Sequence, residues 1–207
     1  MLTVHHLNNS RSQRVLWLLE ELELPYEIVH YQRDPQTMLA PASLRAVHPL
    51  GKSPVVTTDD GLTLAESGAI IETVIERYGN GRLAPAAGSL EAVRYRYWLH
   101  FAEGTAMSPL LMKLIFDRIE TSRMPFFARP VAKAIAAKTK SAFIHPNIAN
   151  HLNYMEAELG KSEWFAGDAF TGADIQMSFV VEAAQARGGL DAKRPKLMAY
   201  LERIHAR

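Results

Sequence analysis

In three short segments of the 207-residue chain, polar side chains stand at the start of a helical pattern or beside a proline, and chemistry is expected there first. Asn9, Ser10, Arg11 and Ser12 lie between the strand-like Leu2–Leu7 and an apolar helical pattern that begins at Ser12. A hydroxyl at such a turn and the positive end of a helix dipole can converge on one anion. Lys52 and Ser53 precede Pro54 and offer a cation and a backbone edge. Glu66 and Ser67 open another helical pattern, placing an acid beside a helix N-terminus, which suits a carboxylate. Each has a plain structural alternative. Ser10 and Ser12 are good N-cap residues, Glu66 and Ser67 make an acidic first turn with a serine cap, and Lys52 and Arg11 are ordinary surface cations.

Composition narrows the chemistry. With 48% hydrophobic and 22% charged residues, the chain can bury a core as one large domain or two small ones. Lys+Arg 23 against Asp+Glu 22 leaves a net charge of +1, with no excess to recruit nucleic acid or an anionic membrane. Lys133, Lys138 and Lys140 read as a solvated helix face. The absence of cysteine excludes disulfides, thiolate metal sites and a cysteine nucleophile. The eight histidines show no ligand spacing with carboxylates, so no metal is expected. No segment approaches ~18 consecutive apolar residues and no basic-then-apolar leader opens the chain; the expectation is a cytoplasmic protein with no membrane partner.

The elements that must position these residues follow from periodicity. Leu2–Leu7 and the alternating Tyr26–Tyr31 predict strands around a helix with the stripe Val15, Leu16, Leu18, Leu19 and Leu22, stopped by Pro25. A parallel, right-handed β-α-β unit is implied. A polar stretch with Pro35, Pro41 and Pro49 predicts loop plus a short helix. Residues 53–57 and 62–64 flank Asp59-Asp60-Gly61 as a hairpin, and Ile70, Ile71, Val74 and Ile75 mark the next helix. Residues 79–89 have linker composition. All that follows is helical: about 90–119, then 126–159 broken into two helices at Pro146, then 170–186 and 195–204. Thr171-x-x-Asp174 is a capping box with Phe170 placed to staple onto Ile175, assigned to folding.

This order, with the segments Asn9–Leu16, His48–Val56, Leu64–Ile70 and Phe170–Ile175, resembles the glutathione S-transferase superfamily over nearly the whole chain, most of all its bacterial and fungal members. The resemblance implies α/β plus all-α architecture: a thioredoxin-like N-terminal domain (1–80), a linker (81–88) and an all-helical domain (89–207). It implies glutathione as co-substrate, with Lys52 on the glycyl carboxylate, the Ser53 backbone on the cysteinyl amide beside a cis Pro54, and Glu66 and Ser67 on the γ-glutamyl group. Arg11 would aid a carboxylate or the thiolate. Aligned on Arg14 and Val15, the serine of serine-type members falls on Asn9, so Ser10 and Asn9 both stand as candidates for the thiolate, Ser10 ahead because a hydroxyl polarises better than an amide. Ser12 is assigned to structure. The activity implied is attack of the glutathione thiolate on a small hydrophobic electrophile, in a detoxifying role, with glutathione-dependent peroxidase activity as a further possibility. A non-catalytic glutathione-binding scaffold is the alternative, and a homodimer is implied in either case. The electrophile is expected near Tyr97, His100, Phe101, Met107, Leu111 and Phe116, although aromatic and methionine residues at helical spacing are more often core.

Overall fold

The computed structural model describes residues 1–207. Strand β1 (Leu2–Leu7) leads through a tight turn into α1 (Ser12–Glu21), and β2 (Tyr26–Tyr31) returns parallel to β1 with His6 beside His30. After a short α2 (Ala42–Val47), β3 (Val55–Thr57) and β4 (Thr63–Ala65) form the expected hairpin. The sheet order is β2-β1-β3-β4, with β3 antiparallel to β1. Helix α3 (Ser67–Tyr78) and α1 cover one face through Val15, Leu18, Ile70, Ile71 and Val74, all fully buried against Val4 and Val56. The alternation along β1 sends Val4 into this core, while Leu7 joins Ala40 and Leu44 under α2.

The remainder is helical: α4 (Leu90–Phe101), α5 (Met107–Thr121), α6 (Arg129–Thr139), α7 (His145–Glu158), α8 (Gly172–Ala183) and α9 (Pro195–His205). Three π-turns, at Ala102–Ala106, Lys140–Ile144 and Ala184–Gly188, continue α4, α6 and α8. The second corrects the expected break at Pro146. The chain stays helical from Arg129 to Glu158, with Pro146 in the first turn of α7. Proline lacks an N–H and collides with the carbonyl four residues back, and a widened turn just before it relieves both conflicts. Lys140 is also not a free surface cation: it bridges Asp117 at 2.9 Å and Glu120 at 2.7 Å, tying this π-turn to α5.

Helix α8 is the axis of the helical part, and its start is over-determined. Asp174 is fully buried, and its carboxylate accepts from the backbone N–H groups of Phe165 (2.9 Å) and Thr171 (3.0 Å) and from the Thr171 hydroxyl (3.2 Å). Thr171 Oγ1 accepts from Ala173 N at 3.3 Å. Burial pushes the Asp174 carboxyl up to about 6, while these donors hold it down, so it is ionised at neutral pH. The Tyr200 hydroxyl donates to the Asp174 carbonyl at 2.8 Å, fastening α9. Gly172 lets α8 approach α3: a Cβ there would lie 2.5 Å from Ile75 Cδ1 and 2.7 Å from Ile71 Cγ2. The Gly172 N–H donates to Leu83 O at 2.9 Å, pinning the linker beside it. Phe170 lies against Trp17 and Trp164.

Replacing Asp174 by Ala leaves three donors without an acceptor in the core. The expected cost is about 3 kcal/mol, a fall in Tm of about 10 °C for a chain of this size. Thermal unfolding followed by circular dichroism checks it; an unchanged Tm would contradict the anchoring role.

Candidate functional site

The β1–α1 turn, the loop before β3, the β4–α3 turn and the first π-turn meet at one cleft of about 170 Å³, lined by Arg11, Lys52, Ser53, Glu66, Ser67 and Glu103. The Ser53–Pro54 peptide bond is cis. Lys52 and Glu66 are exposed at the rim. Glu66 holds φ +68°, a left-handed conformation that few non-glycine residues adopt, immediately before α3. The first backbone N–H groups of α3 have no intrahelical acceptor, which makes the adjacent space suited to an anion.

Ser67 does not cap its helix. Its hydroxyl is buried and accepts from Arg14 Nη1 at 3.3 Å and from Gln176 Nε2 of α8 at 3.2 Å. Arg14 is the less expected partner, for it is only 2% exposed on the buried face of α1. The same Nη1 donates to Glu103 Oε1 at 2.9 Å, and Arg11 Nε lies 3.2 Å from that oxygen. Both guanidinium groups stand over the Phe179 ring, at 5.0 and 5.4 Å from its centroid. Burial pushes Arg14 down to about 10 against the pull of Glu103, so it remains a cation at neutral pH. One carboxylate on the π-turn therefore balances two guanidinium groups of the β1–α1 segment.

The β1–α1 turn itself carries a chain of hydroxyls. Ser10 Oγ donates to Ser53 Oγ at 3.1 Å, and Ser53 Oγ donates to the His5 carbonyl at 2.9 Å. Ser12 Oγ lies 2.8 Å from Ser10 Oγ and 2.8 Å from His6 Nδ1. Neither serine is the N-cap, a position taken by Arg11, although the Ser12 N–H reaches Ser10 Oγ at 3.3 Å. Asn9 is exposed at φ +52°, its carbonyl accepting from Arg33.

The predicted residues thus divide. Arg11, Lys52, Ser53, Glu66 and Ser67 share the cleft; Ser10 adjoins it through Ser53; Asn9 stands outside in solvent. Thr171, Asp174 and the buried Phe101 and Met107 belong to the core, whereas Tyr97, His100 and Leu111 are exposed, Tyr97 with its ring stacked on Phe101. Sequence reasoning passed over Arg14, Glu103, Gln176 and His6. Arg14 was visible as a charge inside an apolar stripe, a signal of a buried partner. Glu103 had no local signal, because its partners lie 89 residues away.

The glutathione S-transferase N-terminal domain family matches residues 10–77 and the C-terminal domain family residues 119–207. Glutathione S-transferase 3 of Schizosaccharomyces pombe is 38% identical over 185 residues, covering 89% of this chain and 75% of the relative. Glutathione S-transferase 1 of Saccharomyces cerevisiae is 35% identical, covering 89% and 81%. The solved glutathione S-transferase of Actinobacillus pleuropneumoniae superposes with a TM-score of 0.77 at 32% identity, over 100% of this chain and 88% of that one. A sphingomonad enzyme complexed with glutathione gives 0.74 at 26% identity, over 99% and 93%. With both domain families in order along the chain, an open cleft where sheet and helices meet, and relatives of this closeness, the chain belongs to the glutathione S-transferase family.

Proposed function

We propose that this protein is a glutathione transferase in which residues 1–80 bind glutathione and residues 89–207, joined through 81–88, complete the site. The observation that carries the reading is the cleft in which Lys52, Glu66, Ser67 and the α3 N-terminus converge beside the Ser10 hydroxyl chain. Its charges are arranged for a tripeptide with two carboxylates and one ammonium. Lys52 takes the glycyl carboxylate, the α3 N-terminus with Ser67 takes the γ-glutamyl carboxylate, and Glu66 takes the ammonium. Two named relatives at 35–38% identity support the activity.

Turnover requires a thiolate. A free thiol has a pKa of ~8.5, and lowering it by ~2 units amounts to roughly 2.7 kcal/mol of preferential binding of the anion. Ser10 and Asn9 remain the two donors for that anion, with Arg11 adding positive potential. The exposed apolar row Leu90 (71%), Val93 (54%) and Tyr97 (46%) along α4 supports a homodimer. A small hydrophobic electrophile, a detoxifying role, peroxidase chemistry and a cytoplasmic location complete the reading. One observation favours the non-catalytic alternative: the Ser10 hydroxyl already has an acceptor in Ser53 without any ligand.

Calorimetric titration with glutathione across a pH series tests this. Wild type is expected to bind and to release protons near neutral pH. Glu66→Ala should weaken binding about tenfold or more. Ser10→Ala should bind without releasing protons; loss of release in Asn9→Ala instead would move the role there. No binding by wild type at millimolar glutathione would sink the transferase reading. Glu103→Ala strips the buried Arg14 of its carboxylate and frees Arg11. Stability should fall by about 3 kcal/mol and KM for glutathione should rise, as read by thermal unfolding and initial rates.

A further inference from the structure

The hydroxyl chain at the β1–α1 turn has two complete proton orders, distinguished by one nitrogen of His6. With a proton on His6 Nδ1, Ser12, Ser10 and Ser53 each donate one step further from the histidine, and the last proton ends on the His5 carbonyl. With Nδ1 bare, Ser12 donates to His6 and Ser10 turns its proton from Ser53 to Ser12, so that the Ser10 oxygen, which also accepts from the Ser12 N–H at 3.3 Å, keeps one lone pair for an incoming donor. The Ser10–Ser12 and Ser12–His6 separations are both 2.8 Å, short enough for a proton to pass along either link.

We propose that His6 terminates a proton relay that carries the thiol proton of bound glutathione through Ser10 and Ser12. This rests on the transferase reading. In the step, the S–H bond breaks and its electron pair stays on sulfur. The proton binds Ser10 Oγ as the Ser10 proton passes to Ser12 Oγ and the Ser12 proton passes to His6 Nδ1. The imidazolium then gives its Nε2 proton to water, leaving the neutral Nδ1–H tautomer. The net change is one proton moved from thiol to solvent. The hydroxyls now all point away from the histidine, and Ser10 donates to the thiolate in place of Ser53. Removal of the proton and supply of the hydrogen bond that holds the anion are one rearrangement.

Two further observations support the assignment. Ser12 is fully buried, and its hydroxyl is spent on Ser10 and His6 rather than on capping α1. His6 is partly exposed near the end of the central strand β1, with the His30 ring of β2 edge-on at 5.5 Å and Ser12 facing it from α1. Burial, then the neighbouring His30, hold the His6 ring below the usual imidazole range. It is therefore a neutral acceptor at physiological pH that passes its proton on rather than retaining it.

The test compares wild type, His6→Gln and Ser12→Ala by the ultraviolet difference absorbance of bound glutathione thiolate across pH, with kcat in light and heavy water. Glutamine keeps a hydrogen bond to Ser12 but takes up no proton, so a merely structural role would leave the profile in place. The expected result is that both variants bind glutathione, that the thiolate midpoint rises by about one pH unit (a tenfold loss of thiolate at fixed pH), and that the solvent isotope effect on kcat changes. If Ser12→Ala does not fold, His6→Gln decides alone, its side chain being only partly buried. A His6→Gln profile identical to wild type overturns the relay and leaves the transferase reading standing. A wild type that binds glutathione but forms no thiolate overturns both.

Discussion

The arrangement of this protein depends on one guanidinium group held in the dry space between α1 and α8. An arginine placed there is costly unless its charge is met, and Arg14 meets it with Glu103 from the first π-turn while donating to Ser67 at the head of α3. Three elements distant in sequence are thereby fixed around one cation. The sheet domain cannot slide along the helices without separating Arg14 from Glu103. The Ser67 hydroxyl, which lines the cleft, is set by the same contact.

From that anchor the rest is geometrically constrained. Asp174 sets where α8 begins, Gly172 sets how near it comes to α3, and Gln176, one turn on, reaches Ser67. The cleft is then bounded by the β1–α1 turn on one side and the β4–α3 turn on the other, each presenting a short polar segment. The hydroxyl chain closes the inner end, linking Ser53 before β3 to Ser12 at the start of α1. Lys52 and Glu66, proposed for the tripeptide's ends, are exposed at the rim, whereas Ser12, proposed to pass on its thiol proton, is fully buried.

Much of this was legible in the sequence. Alternation in Tyr26–Tyr31, the Asp-Asp-Gly turn and the stripes of α1 and α3 gave the sheet domain, because each is a local pattern with a local cause. The cleft residues Lys52, Ser53, Glu66 and Ser67 were readable from loop positions beside proline and helix starts. What local pattern could not supply was pairing across the domains. Glu103 sits mid-helix with no cap or turn to mark it, and nothing near Arg14 in sequence names the partner that its place in the apolar stripe calls for. The aromatic and methionine residues of α4 and α5 could not be sorted in the sequence for the same reason, since packing alone decides that Phe101 is buried and the Tyr97 stacked on it is exposed.

Buried Ala102, Ala106 and Leu110 are spaced by four, as are Ile144, Ile148 and Leu152, and Val180 and Ala184. In an α-helix each step of four drifts about 40° around the axis, and a turn wider by one residue takes up that drift. Each π-turn is thus an inserted residue absorbed without a loop. A helix here can therefore gain or lose one position at Ala102–Ala106, Lys140–Ile144 or Ala184–Gly188 with the core face preserved. At the first of these, such a change would carry Glu103 away from its two arginines, so that the length of this turn matters to the charge balance as well as to packing.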